Sequence, residues 1–136
     1  MTVREHHQAI VDDFGFIENR QERLGAVVDA ARSLPVLPES DRTTQNIVAG
    51  CTSRVLLVAS LVNGLCQFRA DCYSPMVRGL VVLLARCYDG VTPADAIASE
   101  ATILEDLELL RDLSSTRQNG LAAVRRRIVE HARSWE

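Results

Sequence analysis

The dipeptide Asn63-Gly64 stands between two stretches whose apolar residues do not follow helical spacing. Both central positions of a type I′ turn need positive φ, which Asn and Gly tolerate, so the pair marks a tight hairpin. Before it, Arg54 to Val62 is rich in aliphatic and β-branched residues. After it, Leu65 to Ala70 alternates, with Cys66, Phe68 and Ala70 on one side. Asn46 to Ala49 has the same character as the first run and is separated from it by Gly50-Cys51. The middle of the chain therefore predicts three short antiparallel strands, with Cys51 at or near the first turn.

Helical spacing returns on both flanks. Ile17, Leu24, Val27, Val28, Ala31 and Leu34 recur at near-helical intervals, and Pro35 ends that run by disfavouring helix at the residue before it. A shorter helix before Gly15 is weakly marked, and residues 1–14 are read as a segment prone to fray. Pro35 to Asn46 is a polar loop. Beyond the strands, Ser74-Pro75 supplies a cap and a first-turn proline. Met76, Val77, Leu80, Val81, Leu83, Leu84, Cys87 and Tyr88 then form a broad apolar surface that ends at Gly90. Thr92-Pro93, with Asp95 three residues after the threonine, opens another helix. Ile103 to Leu113 predicts a further helical segment, and Leu121, Val124, Ile128 and Trp135 share one face of a last helix. No repeat or linker interrupts this order. The expectation is one α+β domain over residues 1–136, a small three-stranded antiparallel sheet packed with several helices.

With 136 residues, 47% hydrophobic and 24% charged, the chain has enough apolar material for a packed core. A net charge of −3 argues against a general nucleic-acid binder. No apolar run approaches the roughly 20 residues that span a bilayer, so no membrane partner is expected. Met1 to His7 has no apolar stretch behind its charge, unlike a secretory signal, so a cytoplasmic location is expected. All 15 basic residues are arginine. Without a lysine, the chain cannot form the internal Schiff base of a pyridoxal-phosphate enzyme or complete a Walker A site. Cysteine becomes the most interesting nucleophile left.

The four cysteines, at 51, 66, 72 and 87, show no two-residue gap of a zinc knuckle or dithiol motif. In a reducing compartment they remain thiols. Cys87 falls one heptad after Leu80 on the most apolar helix and reads as core. Cys66 shares a strand face with Phe68 and reads the same way. Cys72 follows Asp71 at a strand end, where exposure and a resolving role against Cys51 are conceivable. Cys51 differs: Gly50 precedes it and Thr52, Ser53 and Arg54 follow, a polar, turn-like setting suited to presenting a side chain. Arg54, with Arg42 or Arg117 if the fold brings them close, would favour its thiolate. His6 and His7 lie in the fraying segment, His131 suits the C-terminal dipole of the last helix, and Arg125-Arg126-Arg127 reads as a solvated helix face.

Around Cys51 the order Asp41-Arg42, Gln45-Asn46 and Val48-Ala49-Gly50-Cys51-Thr52-Ser53-Arg54-Val55 resembles the SufE family of cysteine-desulfurase partners. Asp71 before Val77-Arg78-Gly79-Leu80, then Thr92-Pro93, then Leu113-Ser114 leading to Arg117-Gln118-Asn119-Gly120-Leu121, continue the likeness over roughly residues 20 to 130. The resemblance implies a fold of helices around a small antiparallel sheet. It implies a sulfur acceptor that takes persulfide sulfur from a pyridoxal-phosphate cysteine desulfurase onto Cys51, stimulates that enzyme, and delivers sulfur towards an iron–sulfur scaffold complex. Such a carrier is not an independent enzyme, needs no metal or cofactor of its own, and leaves room for a homodimer. On the same likeness Arg42, Asp71, Arg117 and Asn119 shape the site. Leu56 stands where the family often has tryptophan. Two rival readings are an iron–sulfur cluster scaffold of related fold, which needs three or more converging thiolates, and a non-catalytic adaptor of a desulfurase.

Overall fold

The computed structural model describes residues 1–136. In chain order it contains α1 (Val3–Phe14), α2 (Arg20–Arg32), β1 (Val55–Val62), β2 (Leu65–Cys72), α3 (Pro75–Tyr88), α4 (Pro93–Ala98), α5 (Ile103–Asp106) and α6 (Ser115–Ser134). Two single 3₁₀ turns, Glu39–Asp41 and Thr44–Asn46, lie in the loop between α2 and β1.

Helix α3 is the central element. Nine of its 14 residues are buried, because its apolar positions run around more than one face. It packs on β2 through one side and on α2 through another. The α2 contact is close: a Cβ on Gly79 would lie 3.0 Å from the Cα of Val28, so any side chain there would push the two helices slightly apart. Ser74 caps α3 with its hydroxyl accepting from Val77 N–H, and Thr92 does the same for α4 through Asp95 N–H, as the sequence suggests. Buried residues from α1, α2, both strands, α3 to α6 and the connecting segments form one core cluster.

The hairpin turns where expected. Asn63 and Gly64 have φ of 53° and 78°, and β1 pairs with β2 from Val62↔Leu65 to Val55↔Cys72. The sheet, however, has two strands rather than three. Residues 46–49 contribute a single bridge, Ile47↔Leu56, and one hydrogen bond from Val48 N–H to Val55 O at 2.9 Å. The reason is local. The 3₁₀ turn Thr44–Asn46 occupies one side of the segment and Gly50, at φ 91°, turns the chain away on the other. Too few residues remain to extend a ladder.

Two other segments depart from the sequence reading. Residues 1–14 hold helix α1 instead of a frayed end. Thr2 and Glu5 form a reciprocal capping box, and Val3, Ile10 and Phe14 are buried. His7, expected in that frayed end, sits in the helix with Nε2 2.9 Å from Asp106 Oδ2. Between Ile103 and Leu113 only the first four residues are helical. Glu108 adopts φ 56°, which ends the helix, and Leu107 and Leu109 reach the core from irregular backbone. Arg23, itself buried, fixes that irregular segment by donating from Nη1 to Leu107 O at 2.9 Å.

Candidate functional site

Cys51 lies in the loop 49–54, which leads from the Ile47 bridge into β1. No backbone–backbone hydrogen bond involves these six residues. The loop is held by packing and by one side-chain bond, from Cys51 Sγ to the carbonyl oxygen of Gly120 at 3.3 Å. Gly120 stands in the second turn of α6, and its missing side chain permits the approach: a Cβ there would already touch Cys51 Sγ at 3.5 Å. Gly50 rests in the same way against Ala123, whose Cβ would be 3.4 Å from a Cβ at position 50.

Thr52, Ser53, Val55, Val77, Thr116, Arg117, Leu121 and Val124 join Cys51 and Gly120 around a cavity of about 20 Å³. That is room for one water-sized atom. Cys51 is half-buried, and it is the one cysteine of the four that is not fully buried. Burial raises its pKa above the ordinary thiol value, and negative charge on nearby Cys72 pushes it further the same way. The expectation that arginines would draw the thiolate out is therefore not met in this resting arrangement. The hydrogen bond to Gly120 O is one that only the protonated thiol can make.

The other predicted site residues divide into two groups. Arg117 lines the cavity beside Cys51, positioned by the Ser114 hydroxyl, which accepts from Arg117 N–H and caps α6. Arg42 and Asp71 form a separate buried cluster. Asp71 Oδ2 accepts from Arg42 Nη2 and from Leu37 N–H at 3.2 Å; Oδ1 accepts from Arg78 Nε at 2.9 Å and Cys72 N–H at 2.8 Å. Burial alone would raise the Asp71 pKa, but the two backbone N–H groups, Arg78 and the charge of Arg42 outweigh it and hold the carboxylate below its usual range. This cluster ties the 34–42 loop to the end of β2. Asn119 is exposed on α6, away from the cavity lining. Leu56 is buried opposite Asp71 in register, yet it does not line the cavity at Cys51.

Residues 8–132 match the family model described as SufE, Fe–S metabolism associated domain. The chain belongs to the SufE family. It is 36% identical over 129 residues to a SufE-like protein of Rhizobium etli, covering 91% of this chain and 87% of that protein. It is 34% identical over 128 residues to a SufE-like protein of Rhizobium meliloti, covering 90% of this chain and 91% of that one. The solution structure of a hypothetical protein from Thermus thermophilus superposes with a TM-score of 0.75 at 17% identity. The match covers 95% of this chain and 94% of that one. That likeness shows a shared fold. Family membership places the chain in iron–sulfur metabolism and sulfur transfer, and no helix is long and apolar enough to cross a membrane.

Among SufE-like features of this chain, the sequence alone did not single out Gly120, Thr116, Val77 and Val124 as lining residues. Gly120 was visible as part of Asn119-Gly120-Leu121, but its contact with Cys51 spans 69 positions and has no local signature. The exposure conceivable for Cys72 is not found: its residue is 6% exposed. Cys66 and Cys87 are fully buried, as expected. Cys66 and Cys72 stand six residues apart on β2, or about 20 Å along an extended strand.

Proposed function

We propose that Cys51 is the acceptor of sulfur from a pyridoxal-phosphate cysteine desulfurase, and that the protein stimulates that enzyme and passes the sulfur on for iron–sulfur cluster assembly. The observation that carries this reading is the contrast between the cysteines. Three are sealed in the core, while Cys51 sits on a loop restrained by a single hydrogen bond.

The chemistry is thiol exchange at sulfur. The Cys51 thiolate attacks the terminal sulfur of the desulfurase persulfide, forming a new sulfur–sulfur bond. The bond to the enzyme's cysteine breaks, and that cysteine leaves as a thiolate with the electron pair. Emptying the enzyme's cysteine lets its next turnover begin. At rest the thiol is protonated and bonded to Gly120 O, which suppresses stray reaction with other electrophiles. Rupture of that bond frees the loop, and movement of Sγ towards solvent removes the desolvation that disfavours the thiolate. After transfer, the cavity beside Cys51 has space for the one atom added.

The test is desulfurase turnover, followed as alanine formed from cysteine, with and without this protein. Wild type is expected to raise the rate and Cys51→Ala to leave it at the basal level. An unchanged rate with wild type, or full stimulation by Cys51→Ala, would overturn the proposal.

A further inference from the structure

Cys72 is the last residue of β2 and pairs with Val55, the first residue of β1. Within this hairpin, Cys66 turns its backbone N–H and C=O outward, to Val91 O and Gly90 N–H. Pairing alternates along an antiparallel ladder, so Cys72, in step with Cys66, also belongs to a non-hydrogen-bonded pair. In such pairs the facing side chains approach most closely, on the same side of the sheet. Val55 itself lines the cavity at Cys51. Cys72 thus sits directly behind one wall of the acceptor site. Charge on Cys72 is felt by the Cys51 thiol; burial raises the pKa of Cys72 itself, and the charge of Arg117, which borders the cavity, opposes that rise in part. Cys51 and Arg117 line the cavity, and Cys72 lies one residue away from it, across the Val55 pair. Neither other cysteine competes, since Cys66 lies at the far end of β2 and burial pushes the Cys87 thiol up to about 12.

We propose that Cys72 is a resolving thiol that discharges an uncollected persulfide from Cys51 as hydrosulfide and leaves an internal Cys51–Cys72 disulfide. This rests on the acceptor reading given above for Cys51. Movement of the loaded loop uncovers Cys72, whose thiol then gives up its proton to solvent, and the charge of Arg117 offsets part of the burial that disfavours the thiolate. The thiolate attacks Cys51 Sγ, the inner sulfur of the persulfide. The bond from Sγ to the outer sulfur breaks, and the outer sulfur leaves as HS⁻ with the bonding electron pair. Two cysteine sulfurs are oxidised and the outer sulfur is reduced, so no external oxidant is needed. A thiol reductant of the cell reopens the disulfide by ordinary exchange. The loop between Ile47 and β1 has no backbone hydrogen bond to break as Cys51 closes on Cys72. A loaded carrier without a recipient would in this way clear itself and stay closed until reduced.

The experiment loads wild type and Cys72→Ser with a cysteine desulfurase and cysteine. The enzyme and substrate are then removed, and the proteins are followed without reductant by intact mass and by released sulfide. Wild type is expected to lose the added sulfur, release an equivalent of sulfide, and end two hydrogens lighter than the reduced chain, with peptides containing Cys51 and Cys72 joined. Cys72→Ser is expected to keep its persulfide several-fold longer. The wild-type disulfide and sulfide measurements stand even if the variant folds poorly. Retention of the persulfide by wild type for as long as by Cys72→Ser would overturn the resolving role and leave the acceptor reading intact. So would sulfur that moves onto Cys72 with no sulfide released. Failure of both proteins to take up sulfur would overturn both.

Discussion

Cys51 owes its character to what surrounds a single sulfur atom: one carbonyl and a small cavity. Its raised pKa means that the thiolate is scarce at neutral pH and grows with alkalinity. Alkylation of the native protein by iodoacetamide should therefore modify Cys51 first and accelerate as pH rises above neutral. The fully buried cysteines, Cys87 above all, should react only on unfolding. Equal modification of all four in the native state, or a rate flat with pH, would contradict this. Asp71 is the second residue whose surroundings decide its role. It accepts four hydrogen bonds while 2% exposed, so its removal strands Arg42 and Arg78 without their partner. Asp71→Ala should cost about 3 kcal/mol of stability, the scale for breaking a buried ion pair. Chemical denaturation measures it, and a loss near zero would show that water replaces the carboxylate easily. Because the folded pKa of Asp71 is depressed, its contribution is present above the unfolded value and is lost as pH falls through the folded one.

The loop 49–54 and helix α6 work as a pair, because Gly120 lets the loop lie against the helix. A large residue there has no space beside Cys51. Gly120→Leu should expel the loop and expose the thiol, and it should react faster with iodoacetamide at neutral pH than wild type. A rate no higher than wild type would show that the loop accommodates the side chain without moving. The elements themselves were unevenly legible. Asn63-Gly64 announced the hairpin, and Ser74-Pro75 and Thr92-Pro93 announced two helices, because turn and cap chemistry acts over three or four residues. The capping box of Thr2 and Glu5 is equally local and holds α1 against fraying. The third strand failed for a different reason. Aliphatic residues at 47 and 48 are consistent with a strand, but pairing length depends on the turn before and the positive φ of Gly50 after. In the same way, the leucines after Ile103 are core residues supplied by irregular backbone, and apolar content alone cannot tell that from helix.

Over the whole chain, one core cluster holds the sheet, α3 and α6 together, and the loop 49–54 packs against it through Cys51 with no backbone hydrogen bond of its own. That Cys51 lies on a loop was legible in the sequence because its neighbours are polar and turn-like. Its contact with Gly120 was not, since that contact arises only when α6 is packed against the loop. The sealed thiols also give the fold a pH signature. Cys66, Cys72 and Cys87 are held protonated above the ordinary thiol value, so the unfolded chain releases those protons first. Their contribution is complete below the unfolded thiol pKa, about 8.5, and declines as pH rises through it. The melting temperature should fall across that range, and less so in Cys87→Ala measured against its own neutral value. An identical fall in both would place the loss in other groups. The most direct test of sulfur acceptance is intact mass after a brief incubation with a cysteine desulfurase and cysteine, quenched before discharge. Wild type should gain one sulfur, about 32 Da, carried on the peptide containing Cys51, and Cys51→Ala should gain nothing. An equal gain in Cys51→Ala would contradict Cys51 as the acceptor, and no gain in wild type would contradict the carrier role itself.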